Sequence, residues 1–281
     1  MSPLHAEKQI KAGLIIPVFN VENTIEKVLA SINSKVLDDI SEIRIIDNHS
    51  SDKTVENINK FMERNPEFAR RVSMVLCKEN CGYGHSIKTG FTYFLGRPVT
   101  HIVVIHGDHQ VDPTWLIDTL LAPIKKSSNV DVVLASRFMR ESNLQNYSLV
   151  RKLGNYFFNL TTFFCTGLLM SDSGTAMIAI KKSTLSQVNF YNLSNSWQFH
   201  PQLNILLYDN KEIQIAEVSM NWTDSEAKSS VPLIMYGLKL LKMLLEYRVA
   251  KTILRKNPDE IFPANSINLE QNRSIVKFDK I

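Results

Sequence analysis

The sequence predicts an α/β fold, with a mostly parallel central sheet, helices on both its faces, and a C-terminal amphipathic helix added at the end. Two observations predict it. Through the first half of the chain, short apolar runs alternate with segments of helical spacing, the pattern that builds parallel sheets. Where the runs end the chain places Asp47, Asp108, Ser136 and Arg137, with Pro17, Phe19 and Asn20 beside the first of them. Open parallel sheets bind their ligands beyond the carboxyl ends of the strands.

The elements follow in order. Residues 13–18 read as a buried strand. Asn23 or Thr24 can then cap a helix carrying Ile25, Val28, Leu29 and Ile32 at helical spacing. Residues 43–46 form the next strand. Ser51 and Asp52 offer a cap for a helix with Val55, Ile58, Phe61 and Met62. Residues 72–76 give a third strand, followed by a Gly-rich turn and a helix through Phe94. Residues 101–105 give a fourth strand, Pro113 suits the first turn of a helix through Leu121, and residues 130–135 give a fifth strand. Beyond Arg137 the spacing predicts a helix over 149–168, a Ser-Asp-Ser-Gly turn, a strand over 175–180, a helix over 197–208, a strand over 213–220 and a long helix over 231–254. The tail from Asn257 is polar and reads as loose. This divides the chain into a main domain, 1–225, and a basic amphipathic helix with a polar tail, 226–281.

Composition narrows the classes. The chain has 281 residues, 44% hydrophobic and 21% charged, an ordinary globular balance. A net charge of +4 is too small to argue for nucleic acid. Three cysteines in no framework spacing point to a reducing compartment. Residues 1–11 are short and polar, without the apolar core of a signal peptide, so a cytoplasmic location is expected. No run reaches the ~18–20 apolar residues of a membrane span. The nearest, 156–170, is interrupted by Asn159, Thr161 and Thr162 and reads as a buried or interfacial helix.

Several segments carry chemistry. Asp47 ends a strand ahead of the helix cap, where a carboxylate has no structural duty, and this points to hydrogen bonding with a base or ribose. Gly82 and Gly84 precede a helix and are either plain turn residues or a close approach for a phosphate. In His106-Gly107-Asp108-His109-Gln110, Asp108 and Gln110 are oxygen donors two apart, and with His106 they could face one divalent cation, Mg²⁺ or Mn²⁺. Asp112 serves as a helix cap before Pro113. Asp172 is a turn residue or a cleft wall. His200 lies among apolar neighbours and is structural or catalytic. Asn155 and Asn159, four apart on the aromatic helix, face a partner helix or an acceptor. The last helix interleaves Leu238, Leu241 and Leu245 with Lys239, Lys242, Arg248 and Lys251. That pattern suits an anionic membrane surface, packing on the main domain, or pairing with a second copy.

The motifs Ile15-Ile16-Pro17-Val18-Phe19-Asn20, 46–54, 80–90, 107–113 and Ala135-Ser136-Arg137 together resemble family 2 glycosyltransferases of the GT-A fold. The closest pattern is that of dolichol-phosphate mannose synthase and the bacterial polyprenyl-phosphate glycosyltransferases. Weaker echoes lie at 172–174, 199–203, Glu217-Val218 and 228–230. The resemblance implies that Pro17, Phe19, Asn20, Asp47 and Gly84 meet the nucleotide, and that Asp108 and Gln110 hold the metal, with His106 beside them. It also implies that Arg137, Lys228 and Ser229 meet the donor diphosphate or an acceptor phosphate. His106 stands where the family carries an acid, Asn48 where it carries a second acid, and Val21 where it often carries Glu. The implied reaction is inverting transfer from a nucleotide-diphosphate sugar to a lipid phosphate or a glycan hydroxyl of the cell envelope. A hydroxyl acceptor needs a base, for which Asp172 and His200 are candidates. The basic last helix favours a lipid phosphate and a peripheral place on the membrane, and leaves a homo-oligomer open. Two other classes remain: a non-catalytic nucleotide-sugar-binding relative, and a metal-dependent nucleotidyltransferase, although residues 17–23 lack the Gly and basic residues of the latter's phosphate loop.

Overall fold

The computed structural model describes residues 10–224, 233–262 and 273–278. Its strands are β1 (Ala12–Val18), β2 (Ile40–Asp47), β3 (Val72–Cys77), β4 (His101–Val104), β5 (Val132–Ser136), β6 (Asn143–Gln145), β7 (Ile178–Lys181), β8 (Ile215–Ser219), β9 (Asn221–Thr223) and β10 (Arg273–Lys277). Eight form one sheet in the order β10-β3-β2-β1-β4-β7-β5-β8, and β6 pairs with β9 in a separate parallel ribbon. In the large sheet β7 runs antiparallel to both neighbours, and β10 runs antiparallel to β3. The other pairings are parallel.

The central strands are apolar throughout because helices cover both faces. β1, Ala-Gly-Leu-Ile-Ile-Pro-Val, is buried at every position. Its alternate side chains enter two cores. Leu14, Ile16 and Val18 pack on one face with Val28, Leu29, Ile58 and Leu120. Ile15 packs on the other face with Phe91, Phe94, Phe199 and Leu244. Leu244 lies on the C-terminal helix Leu233–Thr252, whose Leu240, Met243 and Tyr247 are buried in that second core as well.

Local signals hold in part. Asp112 caps the helix Pro113–Lys126, its carboxylate accepting the Trp115 N–H at 2.7 Å. Thr24 occupies the cap position of its helix, but its hydroxyl donates to the Gly107 carbonyl instead. The helix predicted after the second strand begins at Thr54, and Asp52 meets the Thr54 N–H from outside it. The clearest difference is in the tail. Pro258–Ile261 is helical, and β10 pairs along β3, satisfying backbone groups that a bare sheet edge would leave open.

β4 opens with the buried His101, beside Lys181 and Asp131. Burial, with Lys181 adding to it, pushes the imidazole down from 6.5 to about 4. The folded chain keeps His101 neutral where the unfolded chain binds a proton. Stability is therefore intact above pH 6.5 and falls as pH drops towards 4. His101 contributes at most about 1.4 kcal/mol per pH unit to that slope. Urea unfolding at pH 7 and pH 5 should show a smaller pH dependence in His101→Gln than in the parent.

Candidate functional site

The predicted residues come from one end of the sheet. Pro17, Phe19 and Asn20 end β1, Asp47 ends β2, and His106 to Gln110 follow β4. Arg137 follows β5, and Asp172 precedes β7, whose Ile178 pairs with both Val104 and Leu134. Lys228 and Ser229 lie outside the described residues.

The β1 and β2 loops are bound to each other. Asn20, in the left-handed region at φ 52°, accepts the Ser51 N–H at 2.9 Å, and its own N–H donates to Ser50 Oγ. Val21 and Glu22 donate to Thr54 Oγ1 and Asp52, and the Glu22 carboxylate accepts the Lys53 N–H. Phe19 stays exposed at the rim. Asp47 has the structural duty that its sequence position seemed to lack, because it accepts the Ser50 N–H at 3.1 Å. Its burial raises the carboxyl above its ordinary value, against the Ser50 bond.

The Gly-rich turn is fixed by amides. Asn48 donates to Asn80 Oδ1 and accepts the Cys81 N–H, and Asn80 Oδ1 also accepts the Gly82 N–H. Gly82 has φ +93°, and a Cβ there or at Gly84 would come within 2.3 or 2.2 Å of the Asn195 and Ser194 carbonyls. Gly84 thus lets the helix Tyr83–Leu95 press against the 194–195 segment. Lys88 locks the same contact from the next turn, donating to the Tyr191 and Leu193 carbonyls and to Asn195 Oδ1.

Beside this turn is an aromatic cluster. Tyr83 stacks on Trp197, with centroids 4.8 Å apart, and shares a 2.9 Å hydrogen bond with His106 Nε2. His200 tilts against Tyr83 at 5.6 Å. Desolvation pushes the Tyr83 hydroxyl well up and the His106 imidazole down. Desolvation, with His106 beside it, also pushes His200 well down. The three groups are therefore neutral at pH 7. Both His200 ring nitrogens are buried without a hydrogen-bond partner among the described residues.

Asp108 lies half-buried within electrostatic reach of Tyr83 and His106. Gln110 turns its amide to Asp224, 3.0 Å away, which also takes Arg151 in an ion pair. Among the described residues no three His, Cys, Asp or Glu side chains converge as a metal cage. A single carboxylate still fits Mg²⁺ or Mn²⁺ when the nucleotide's phosphates and water supply the remaining oxygens. His106 bonds Tyr83 through Nε2 and Gln110 bonds Asp224 through its amide nitrogen, and Asp108 is the carboxylate among the three.

Arg137 and Asp172 form a buried bidentate ion pair in the cleft. The Arg137 Nε and Nη2 donate to the two carboxylate oxygens at 2.7 and 2.8 Å, and its backbone N–H adds a third bond. Burial opposes the guanidinium charge, but Asp172 outweighs it and holds the group above its ordinary value. Nη1 points to the Tyr147 hydroxyl. Tyr236, from the C-terminal helix, also feels the pair, though burial is the main cause that lifts its hydroxyl to about 12. Sequence reasoning passed over Tyr83, Lys88, Tyr147, Trp197 and Tyr236. An aromatic between two glycines at Gly82-Tyr83-Gly84 was the one local signal among them.

The chain matches the profile of "Glycosyl transferase family 2" over residues 14–188. It belongs to that family. A relative from Methanococcus voltae, a UDP-N-acetylglucosamine–dolichyl-phosphate N-acetylglucosaminyltransferase, is 25% identical over 85% of this chain and 97% of its own length. A dolichyl-phosphate β-glucosyltransferase of Dictyostelium discoideum is 23% identical over 88% of this chain and 73% of its own. The fold is GT-A. Glucosyl-3-phosphoglycerate synthase of Mycobacterium tuberculosis, solved with Mn²⁺, UDP and glucosyl-3-phosphoglycerate, superposes with a TM-score of 0.55 at 16% identity, covering 86% of this chain and 80% of the other.

In this glycosyltransferase, Asp172→Asn leaves a buried guanidinium without its counter-charge. Denaturant unfolding should show a loss of about 3–5 kcal/mol, the usual result of halving a buried pair.

Proposed function

We propose that this glycosyltransferase moves a sugar from a nucleotide-diphosphate donor to a lipid phosphate, with inversion, in the cleft at the strand ends. One observation supports the choice of acceptor above the others: among the described residues, neither of the two candidate bases is available. Asp172 is committed to Arg137 by both oxygens, and His200 is sealed. A sugar hydroxyl needs its proton removed, whereas a phosphate monoester attacks as an anion. The dolichyl-phosphate activities named for two relatives point the same way.

In this reading Pro17, Phe19 and Asn20 line the base, and Asp47 takes hydrogen bonds from it or from the ribose. Asp172 positions Arg137, whose remaining guanidinium edge meets phosphate oxygens. The neutral Tyr83–His106–Trp197 cluster walls the sugar side and excludes water. A divalent ion, Mg²⁺ or Mn²⁺, held by Asp108 would offset the charge that develops on the leaving diphosphate. The C-terminal helix, which brings Tyr236 to the cleft, is the route of peripheral membrane contact on the cytoplasmic side. No helix among the described residues is long and apolar enough to cross a membrane.

Asp108→Ala should abolish transfer, by about a hundredfold or more, with an unchanged melting temperature. Calorimetry with UDP- and GDP-sugars should show binding that Mn²⁺ strengthens in the parent and not in the variant. Retained turnover in Asp108→Ala, or donor binding indifferent to the metal, refutes the assignment.

A further inference from the structure

The aromatic cluster beside Asp108 is held from behind by a buried lysine. Lys88 stands on the helix Tyr83–Leu95 and is only 2% exposed. Its ammonium donates to the Tyr191 carbonyl at 3.0 Å, to Asn195 Oδ1 at 2.9 Å and to the Leu193 carbonyl. An ammonium has three N–H groups, so each finds one acceptor. Burial brings the group down from 10.5 to about 8, which leaves it charged at pH 7. The acceptors fall on alternate residues of 191–195. The bonds therefore fix the direction of that segment as well as its distance from the helix.

The segment runs on through Ser196 to Trp197, whose ring lies 11° from parallel with Tyr83, the centroids 4.8 Å apart. Tyr83 begins the helix that carries Lys88, about one and a half turns earlier. One helix thus supplies both the anchor of the segment and the ring that Trp197 covers. The path closes on itself, from Lys88 to 191–195, on to Trp197, across to Tyr83 and back along the helix. Tyr83 in turn bonds His106, two residues before Asp108. With Trp197 against one face, the Tyr83 ring has little room to turn away from His106. Other ties act at single points. Gln202 accepts the Ser194 N–H, the His85 N–H meets the Asn195 carbonyl, Gln198 donates to the Lys239 carbonyl, and the Tyr236 hydroxyl donates to that of Trp197. Lys88 is the contact that spans 191 to 195.

We propose that Lys88 is a positioning residue for sugar transfer: by fixing 191–195 it holds Trp197 on Tyr83 and keeps the Tyr83–His106 wall closed over the donor sugar. The proposal rests on the reading of that cluster as the sugar-side wall. Lys88 acts through these residues and not on the substrate. A loosened wall misplaces the sugar and admits water to its anomeric carbon. The nucleotide, which the same reading places at the β1 and β2 loops, stays bound. The loss therefore falls on kcat and on the partition between transfer and hydrolysis, with little change in the donor KM.

The test is a set of variants of the full chain, read by near-UV circular dichroism and by donor turnover with and without a lipid phosphate. Trp197→Phe identifies the band of the Tyr83–Trp197 stack against the signals of Trp115 and Trp222. Lys88→Met should lose that band and lower kcat by roughly tenfold or more. Its donor KM should stay near the parent's, and the share of donor lost to water should rise. Asn195→Ala removes one acceptor at a half-buried position and should shift the band, kcat and partition the same way, by less. Asn195→Asp keeps the oxygen and should retain the parent's band and kcat. Should Lys88→Met fail to fold, the two Asn195 variants decide. A Trp197 band that survives in Asn195→Ala and in folded Lys88→Met overturns the proposal. So does a lost band with the parent's kcat and partition, or a loss confined to KM. A parent that transfers nothing to lipid phosphate refutes the acceptor reading instead, and the band with the rate of donor hydrolysis then decides the role of Lys88.

Discussion

Arg137 and Asp172 join the strand end after β5 to the turn before β7, and the rest of the cleft is arranged around their pairing. Taking both charges out of water costs several kcal/mol for each. The three hydrogen bonds to Asp172, at about 1.5–3 kcal/mol apiece for charged partners, roughly offset that cost. The pair therefore adds little net stability. What it supplies is geometry, since few other arrangements of these two segments would satisfy both charges. Ser171 reinforces the same turn through Ser136 Oγ and Glu217, and Asn204 holds its far side through the Ser173 and Thr175 carbonyls. The position of Tyr147 follows, because its hydroxyl meets a guanidinium that cannot swing away.

A second constraint acts at the nucleotide end. Side chains and backbone of 20–22 and 50–54 bond reciprocally, so the β1 and β2 loops behave as one body. That body is linked to the turn after β4 by Thr24 and to the Gly-rich turn by Asn48. Asn48 stands where the family resemblance leads one to expect an acid. As an amide it can both donate to Asn80 and accept from Cys81, which a carboxylate could not do. The substitution therefore makes structural sense without reference to the nucleotide. His106, the other departure, follows a similar logic, since a neutral imidazole can bond Tyr83 inside an aromatic cluster where an extra carboxylate would have to be desolvated.

What could be read from the sequence was what depends on neighbours along the chain. The strand–helix alternation, the Asp112 cap and the gathering of Asp47, Asp108 and Arg137 at strand ends are periodic or local signals. Asp172 was visible as a residue but not as the partner of Arg137, because the two are 35 positions apart and meet only through the sheet order. Lys88 and the 191–195 segment are about a hundred positions apart, and nothing in the lysine's surroundings distinguishes it from a solvated one. The tail misled for a similar reason. A polar segment with a brief apolar centre reads as loose until β3 offers it an edge to pair with.

The aromatic helix shows how far such reading goes. Helical spacing was evident in its sequence, and ordinarily the apolar side of such a helix faces the core. Here the sequence offers two sides that could be buried, one apolar and one carrying Arg151, Asn155, Asn159 and Thr162, and the fold buries the polar one. A core-facing apolar stripe would gain about 0.8 kcal/mol for each methylene removed from water. The inward groups instead satisfy the turn behind Asp172, whose buried backbone groups would be costly to leave without partners. Closing the cleft thus fixes the rotation of the helix. The apolar stripe then faces outward as a consequence, and an isolated monomer gains nothing from keeping phenylalanine and leucine there. A polar outer face would serve the cleft equally well, so closing the cleft does not account for the apolar side chains on the helix that walls it.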